Sequence, residues 1–296
     1  MQLRLYGAAV SLIVCLALCA AAVAARAEAR LNAHFKISMV GVSIGQLTWV
    51  VDLNAGSYTT SANGKASGAL SVLVNGEGRV ATRGLIDSDR LRPTFFSSNV
   101  TEDGEVAGLQ MTFENGSVKT LRMDAPQKKD DRIPVTEPDR RGVSDPLSAM
   151  LIVAPPGEQN APMPSTCDRV LAVFDGQRRY DLILSFKRID SMKVAQGYAG
   201  PVLVCAVMLK PIAGYRADSM LVKYVGGQRD MEIWFAPIAG SSVIAPARLV
   251  VPTLIGTLEI AADRFEAVAL KPASPAVSPG TPLPPASAPA PSDPPK

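Results

Sequence analysis

Gly41-Val42-Ser43-Ile44-Gly45 spells G-x-S-x-G, the turn that in α/β-hydrolases lifts a serine above a parallel sheet, with its histidine arriving late in the chain. Neither requirement is met. The residues after Gly45 alternate as a strand does over 46–53, and the single histidine of the chain, His34, precedes Ser43. The glycines are therefore expected to make a turn between strands over 35–39 and 46–53, and Ser43 is not expected to act as a nucleophile. One histidine also limits metal chemistry, because a zinc site needs three or four ligands drawn from Cys, His and carboxylates. No metal and no cofactor are expected. Carboxylate-only chemistry would need a dyad of the kind glycosidases use. Asp87 with Asp89, or Glu102, Asp103 and Glu105, could supply one, but both groups sit in turn-like sequence where acids are usually solvated.

The cysteines depend on compartment. Residues 1–27 read as a secretory signal peptide: Arg4 in a short n-region, an uncharged run over 5–25, and Ala25-Arg26-Ala27 as the small-x-small cleavage pattern. An uncleaved anchor is the alternative, but the strongly apolar part falls short of the ~20 residues a span needs. Lipoprotein processing at Cys19 is disfavoured because Leu18 stands where a small residue is required. Cleavage before Glu28 removes Cys15 and Cys19 and leaves Cys167 and Cys205. In an oxidising space that pair is expected to form one disulfide, contributing on the order of 3–4 kcal/mol. A redox pair would normally be written C-x-x-C. Cleavage also takes Arg4 and Arg26 and no acids, so the formal charge of +3 falls to +1. With the signs interspersed, as in Lys128-Lys129-Asp130-Asp131-Arg132, no nucleic-acid partner is expected. No second run of ~18 apolar residues follows, so no transmembrane anchor is expected after cleavage.

The elements that would position these groups are mostly strands. Leu47, Trp49, Val51 and Leu53 alternate with polar or smaller neighbours, as do Leu109, Met111 and Phe113, the period of two that puts one set on one face. Asn115-Gly116, Asp175-Gly176 and Gly226-Gly227 separate such runs and read as hairpin turns, the last between strands over 220–224 and 230–235. Consecutive strands then pair antiparallel, which excludes a doubly wound parallel sheet. One helix is expected from Ser144 through Val153, stopped by Pro155-Pro156, and a second short one over 69–74. Residues 124–142 read as a surface loop. Residues 271–296, nearly all Pro, Ala and Ser, read as a disordered tail, leaving 28–270 as one antiparallel β domain. The expected fold is all-β: a strongly curved antiparallel sheet, an open or partly closed barrel or spiral, with one or two short helices.

Several segments occurring in order resemble a known family. They are the hairpin Ile37-Ser38-Met39-Val40-Gly41-Val42-Ser43-Ile44-Gly45, the run Ser144-Asp145-Pro146-Leu147-Ser148-Ala149, Tyr180-Asp181-Leu182, Val204-Cys205-Ala206, Ile233-Trp234, Ala245-Pro246-Ala247-Arg248-Leu249 and Ile255-Gly256-Thr257. Together they are similar to exported bacterial proteins of the domain-of-unknown-function 3108 family, over roughly residues 30–265. The resemblance implies a Gram-negative periplasmic protein with a curved antiparallel sheet and no known catalytic residues. At the level of fold it extends to spiral-shaped envelope-integrity proteins and to the open barrels that shuttle lipoproteins.

The function expected on these grounds is non-catalytic: a periplasmic protein supporting the cell envelope by binding a lipid, a peptide or an envelope protein in a groove of the sheet. The alternatives are a purely structural module working through an exposed strand edge and a cell-wall glycan hydrolase using carboxylates. Trp234, on the same side of its strand as Asp230 and Glu232, is the candidate ligand-binding residue. Trp49, sharing the face of Leu47 and Val51, is expected in the core.

Overall fold

The computed structural model describes residues 28–67, 76–102, 105–124, 131–155 and 163–270. The expected signal peptide (1–27), the expected tail (271–296) and the short helix expected over 69–74 lie outside the described residues.

Period-two alternation is realised as strands throughout. The first run comprises β1 (Glu28–Met39), β2 (Val42–Asn54), β3 (Ser57–Ala66), β4 (Gly76–Ile86), β5 (Leu91–Glu102), β6 (Glu105–Glu114) and β7 (Ser117–Met123). After a long connection come β8 (Ile152–Val153), β9 (Arg169–Phe174), β10 (Arg179–Lys193), β11 (Gln196–Gly197) and β12 (Ala199–Ala213). The helix α1 (Met220–Gly227) and strands β13 (Met231–Pro237), β14 (Val243–Thr253) and β15 (Gly256–Leu270) complete the chain. Ala29, Leu31, Ala33 and Phe35 of β1 share their buried face with Trp49, Val51 and Leu53 of β2. The indole of Trp49 is not left unpaired: Nε1 donates to Thr60 Oγ1 at 2.6 Å, and that hydroxyl donates to the Val50 carbonyl at 2.8 Å. The turns follow the residues that tolerate positive φ, Asn115-Gly116 and Val40-Gly41. The turn near the G-x-S-x-G run is therefore Val40-Gly41, and Ser43 to Gly45 belong to β2.

The ladder runs β7-β6-β5-β4-β3-β2-β1-β15-β14-β13-β12-β10-β9, and its end strands β7 and β9 are not paired with each other. This corrects the expected strongly curved barrel or spiral: the sheet is open, and antiparallel except where β11 pairs β15 in parallel. The expectation assumed that a long sheet with one apolar face must cover that face by rolling onto itself. Here residues 143–154 of the connection from β7 to β9, the covering segment, lie against the sheet instead. Its Leu151 and Val153 pack with the core of β1, β2 and β3, while Ile152 and Ala154 pack with that of β12, β13 and β14. The parting of β14 from β15 makes room for this. They pair only from Arg248↔Ala261 to Thr253↔Gly256. Beyond, β14 takes β8 as a neighbour at Val243 and Ile244, and β15 takes β11 at Arg264 and Phe265.

Two further local expectations are corrected. Residues 144–153 are not a helix: a single 3₁₀ turn over Ser148–Met150 gives way at Leu151 to extended backbone and β8. An unbroken apolar run does not distinguish a buried helix from a buried strand, and the β-branched pair Ile152-Val153 is taken up by β14. Residues 220–227 are the helix α1, not a strand and turn. Ser219 Oγ accepts from Val222 N–H at 3.4 Å, and Val225 packs against the same buried cluster as Leu249 and Val251.

Asp145 fastens the covering segment. Its Oδ1 accepts the N–H groups of Leu147 (3.0 Å) and Ser148 (2.9 Å), which closes the turn. Its Oδ2 takes the Ser148 hydroxyl at 2.5 Å and stands 3.0 Å from Thr82 Oγ1 of β4. Tyr58 OH of β3 meets Ser148 Oγ at 2.6 Å, and Thr82 Oγ1 lies 2.8 Å from the Phe95 carbonyl of β5. A hydroxyl has one proton to give. A proton on Asp145 therefore lets the whole row donate once each: Tyr58 to Ser148, Ser148 to Asp145, Asp145 to Thr82, Thr82 to Phe95. Burial pushes the Asp145 carboxyl up from its ordinary value, with the bonds from Ser148, Thr82 and Leu147 pulling the other way. A raised folded-state value means that the contribution is complete below the ordinary value of about 3.9 and is lost as pH rises through the folded one. Asp145→Asn is thus expected to gain on the wild type as pH rises from about 4 to 8, read as a widening difference in melting temperature. Asp145→Ala, which strands buried donors, should cost on the order of 2–4 kcal/mol at any pH in that range.

Candidate ligand cleft

Where the covering segment leaves the turn, it walls a cleft of about 520 Å³ with the start of β5 and with β9. That volume is within the span of small-molecule sites, roughly 300–1,000 Å³. Leu91, Leu151, Val153 and Leu171 give it an apolar floor. Asp87, Asp89, Arg90, Arg92 and Arg169 give it a charged rim. Most of that charge is closed on itself: Arg92 Nε lies 2.6 Å from Asp87 Oδ2, and Arg90 Nε lies 3.4 Å from Asp89 Oδ1. Arg169 differs. Its Nε is buried and has no hydrogen-bond partner among the described residues. Burial draws its guanidinium down from the ordinary value, offset by the field of Asp89. A buried donor without an acceptor costs roughly 1–3 kcal/mol, so this arginine carries an unmet donor beside the cleft that it lines.

Arg169 is placed by the disulfide two residues before it. Cys167 is bonded to Cys205 in the middle of β12, and both are fully buried. Arg169 N–H donates to the Cys167 carbonyl at 2.7 Å, so β9 starts from a fixed point. The hairpin β9–β10 then brings Phe174 against Phe96, Met111 and Phe113, with Val143 of the covering segment in the same cluster.

Of the residues singled out by sequence, Asp87 and Asp89 line the cleft and the others lie elsewhere. His34 sits on β1 with Nδ1 2.6 Å from Asp263 Oδ1, at the edge of a polar depression of about 700 Å³. Ser43 pairs with Ser38, four residues along β1 from His34, on the order of 13 Å at strand rise. The two are not brought together. Asp87 and Asp89 line the cleft, each engaged by its own arginine. Glu102 and Glu105 occupy paired positions of β5 and β6, and Asp103 lies outside the described residues. Among the described residues no group of three or more His, Cys, Asp and Glu could hold a metal ion.

Trp234 lies on β13, half-buried against the core. Its Nε1 donates to Glu232 Oε2 at 2.9 Å, and the guanidinium carbons of Arg188 and Arg248 stand 5.1 and 4.8 Å from its ring centroid. Glu232 also takes both Arg188 Nη atoms, at 3.0 and 3.1 Å, and lies 2.7 Å from Lys187 Nζ. The Arg188 bonds, with help from Lys187 and Trp234, hold its carboxyl down to about 2 against the effect of burial. Arg248 Nε lies 2.7 Å from Glu259 Oε1 without hydrogen-bond alignment. The cations around Trp234 thus meet carboxylates of the protein itself, and Trp234 is not among the residues lining the cleft. Two residues that sequence reasoning passed over do belong to the cleft's construction. Asp145 stood inside the run read as a helix start, and Arg169 carried no signal beyond its place after Cys167.

Because the disulfide sets the position of β9, Cys205→Ala should lower the melting temperature in oxidising buffer by the several degrees that about 3 kcal/mol implies. Reductant should do the same to the wild type and nothing further to the variant. Equal melting of the two proteins in oxidising buffer would contradict a structural role for the bond.

A comparison with curated proteins gives no match. Among solved structures, the chain is similar to a β-barrel-like protein of the domain of unknown function DUF1849 from Brucella abortus. The TM-score is 0.47 at 10% identity, covering 82% of this chain and 98% of that one. Among the described residues no helix is long and apolar enough to cross a membrane. A family model described as "Protein of unknown function (DUF3108)" matches residues 32–263, nearly the whole span of the strands just described. The chain therefore belongs to the DUF3108 family, periplasmic proteins of Gram-negative bacteria.

Proposed function

We propose that this protein is a non-catalytic binding component of the periplasmic envelope, and that its binding site is the cleft between the covering segment, β5 and β9. The observation that carries this reading is the pairing of an aliphatic floor with a buried Arg169 nitrogen that no group among the described residues satisfies. Such a site holds a molecule that is apolar along most of its length and accepts hydrogen bonds at one end. A non-catalytic role is supported by what occupies the polar groups. Asp145 is consumed in fastening the covering segment, Glu232 in neutralising Arg188, and Asp87 and Asp89 in pairing with Arg92 and Arg90. The hydrolase alternative needs two of these carboxylates free to face a glycosidic bond.

One observation favours the strand-edge alternative. Val170, on the end strand β9, is 58% exposed, and among the described residues the covering segment bridges that edge only at Val173. An extended peptide could add there. Native mass spectrometry of the protein purified from the periplasm separates the readings by the mass retained. The expected result is a small-molecule adduct that is lost from Leu171→Trp, whose larger side chain fills the floor. A peptide adduct would favour strand addition. No adduct, or one indifferent to Leu171→Trp, would contradict a ligand site in the cleft.

A further inference from the structure

We infer that the ligand of this cleft is a single-chain amphiphile carrying one anionic head group, with the head on Arg169 and the chain along Leu91, Leu151, Val153 and Leu171. This rests on reading the cleft as the binding site and adds the charge and the shape of what binds there. The charge follows from the rim. Arg92 and Arg90 are held by Asp87 and Asp89, so one cation, Arg169, is left whose buried Nε meets no acceptor among the described residues. A neutral polar head would supply an acceptor but leave that charge without a counterion. A doubly charged head would need a second cation that the rim has already committed. A guanidinium favours a head with coplanar oxygens, since its nitrogens form a fixed fork that meets carboxylate or phosphate oxygens in pairs.

The chain follows from the floor. Its four aliphatic side chains come from β5, the covering segment and β9, so they continue one apolar surface across three elements. The volume of about 520 Å³ lies near the middle of the small-ligand range rather than at its upper end of roughly 1,000 Å³, which suits one chain and not two. Asp89 is the acid whose field reaches Arg169. It competes with the head for the same cation from an exposed position on the loop between β4 and β5.

Isothermal titration of the mature protein, freed of bound lipid, with dodecanoate, dodecyl methyl phosphate (a singly charged diester), 1-dodecanol and acetate tests this. The expected order is dodecanoate or dodecyl methyl phosphate bound at least about tenfold more tightly than 1-dodecanol, with acetate alone not bound; the stronger of the first two identifies the head. Arg169→Gln should bring the anionic ligands to the level of 1-dodecanol and leave 1-dodecanol unchanged. Asp89→Asn, an exposed substitution that spares the fold, should tighten the anionic ligands only. If 1-dodecanol binds as tightly as dodecanoate, or if neither substitution separates them, the head-group assignment is wrong while the cleft remains a binding site. If none of the chains binds, the cleft reading fails and the assignment with it.

Discussion

The buried carboxyl of Asp145 is the point on which the arrangement of this protein depends. It is wholly inaccessible to solvent and satisfies two backbone N–H groups of its own turn. Through Ser148 and Thr82 it also reaches β3, β4 and β5. An isolated carboxylate in such a place would be prohibitive. This one is met by the Leu147 and Ser148 amides and by the Ser148 and Thr82 hydroxyls, in a hydrogen-bond row that ends on the Phe95 main-chain carbonyl. Hydrogen bonds of this kind are directional, so they fix position as well as contributing energy. Apolar packing of Leu151 and Val153 alone would hold the covering segment near the sheet without specifying where it turns.

The open sheet and the cleft both follow from that anchorage. A covering segment fastened to β3 and β4 at one end, and paired with β14 through β8 at the other, caps the apolar face over the parting between β14 and β15. The sheet then needs no closure between β7 and β9. The same segment leaves a gap between itself, the start of β5 and the end strand β9, and the disulfide at Cys167 determines how β9 enters that gap. The network at Asp145 and the bond between Cys167 and Cys205 are therefore two supports of one cleft, one on each wall.

What could be read from the sequence was local. The alternation of Leu47, Trp49, Val51 and Leu53, and the turn residues Asn115-Gly116, announce paired strands because side-chain direction and positive φ are properties of neighbours. The runs 144–153 and 220–227 were misread for the complementary reason. Their apolar residues are compatible with either period, and the partner decides: β14 makes Ile152 and Val153 a strand, whereas docking of Val225 against the buried cluster of β12, β13 and β14 suits a helix. The cleft was not legible at all. Leu91, Leu151 and Arg169 are distant in sequence, and only tertiary structure shows that Arg90 and Arg92 are paired while the Arg169 Nε is not. Trp234 attracted attention as a rare aromatic beside acids. The acids and arginines around it prove to complete one another, which an unpaired list of residue types cannot reveal.

If Asp145 fastens the covering segment, its loss should be felt at both ends of that segment. Amide hydrogen exchange of wild-type protein and Asp145→Ala, followed residue by residue, measures this directly. Protection should fall together at Leu147 to Val153, at the Ala154 amide that donates to the Ser242 carbonyl, and at Ser144 and Phe174 beside the cleft, while the β1–β2–β3 ladder stays protected. Loss confined to the amides of Leu147 and Ser148, with β8 and the cleft walls unchanged, would show that apolar packing alone holds the segment and would contradict the account.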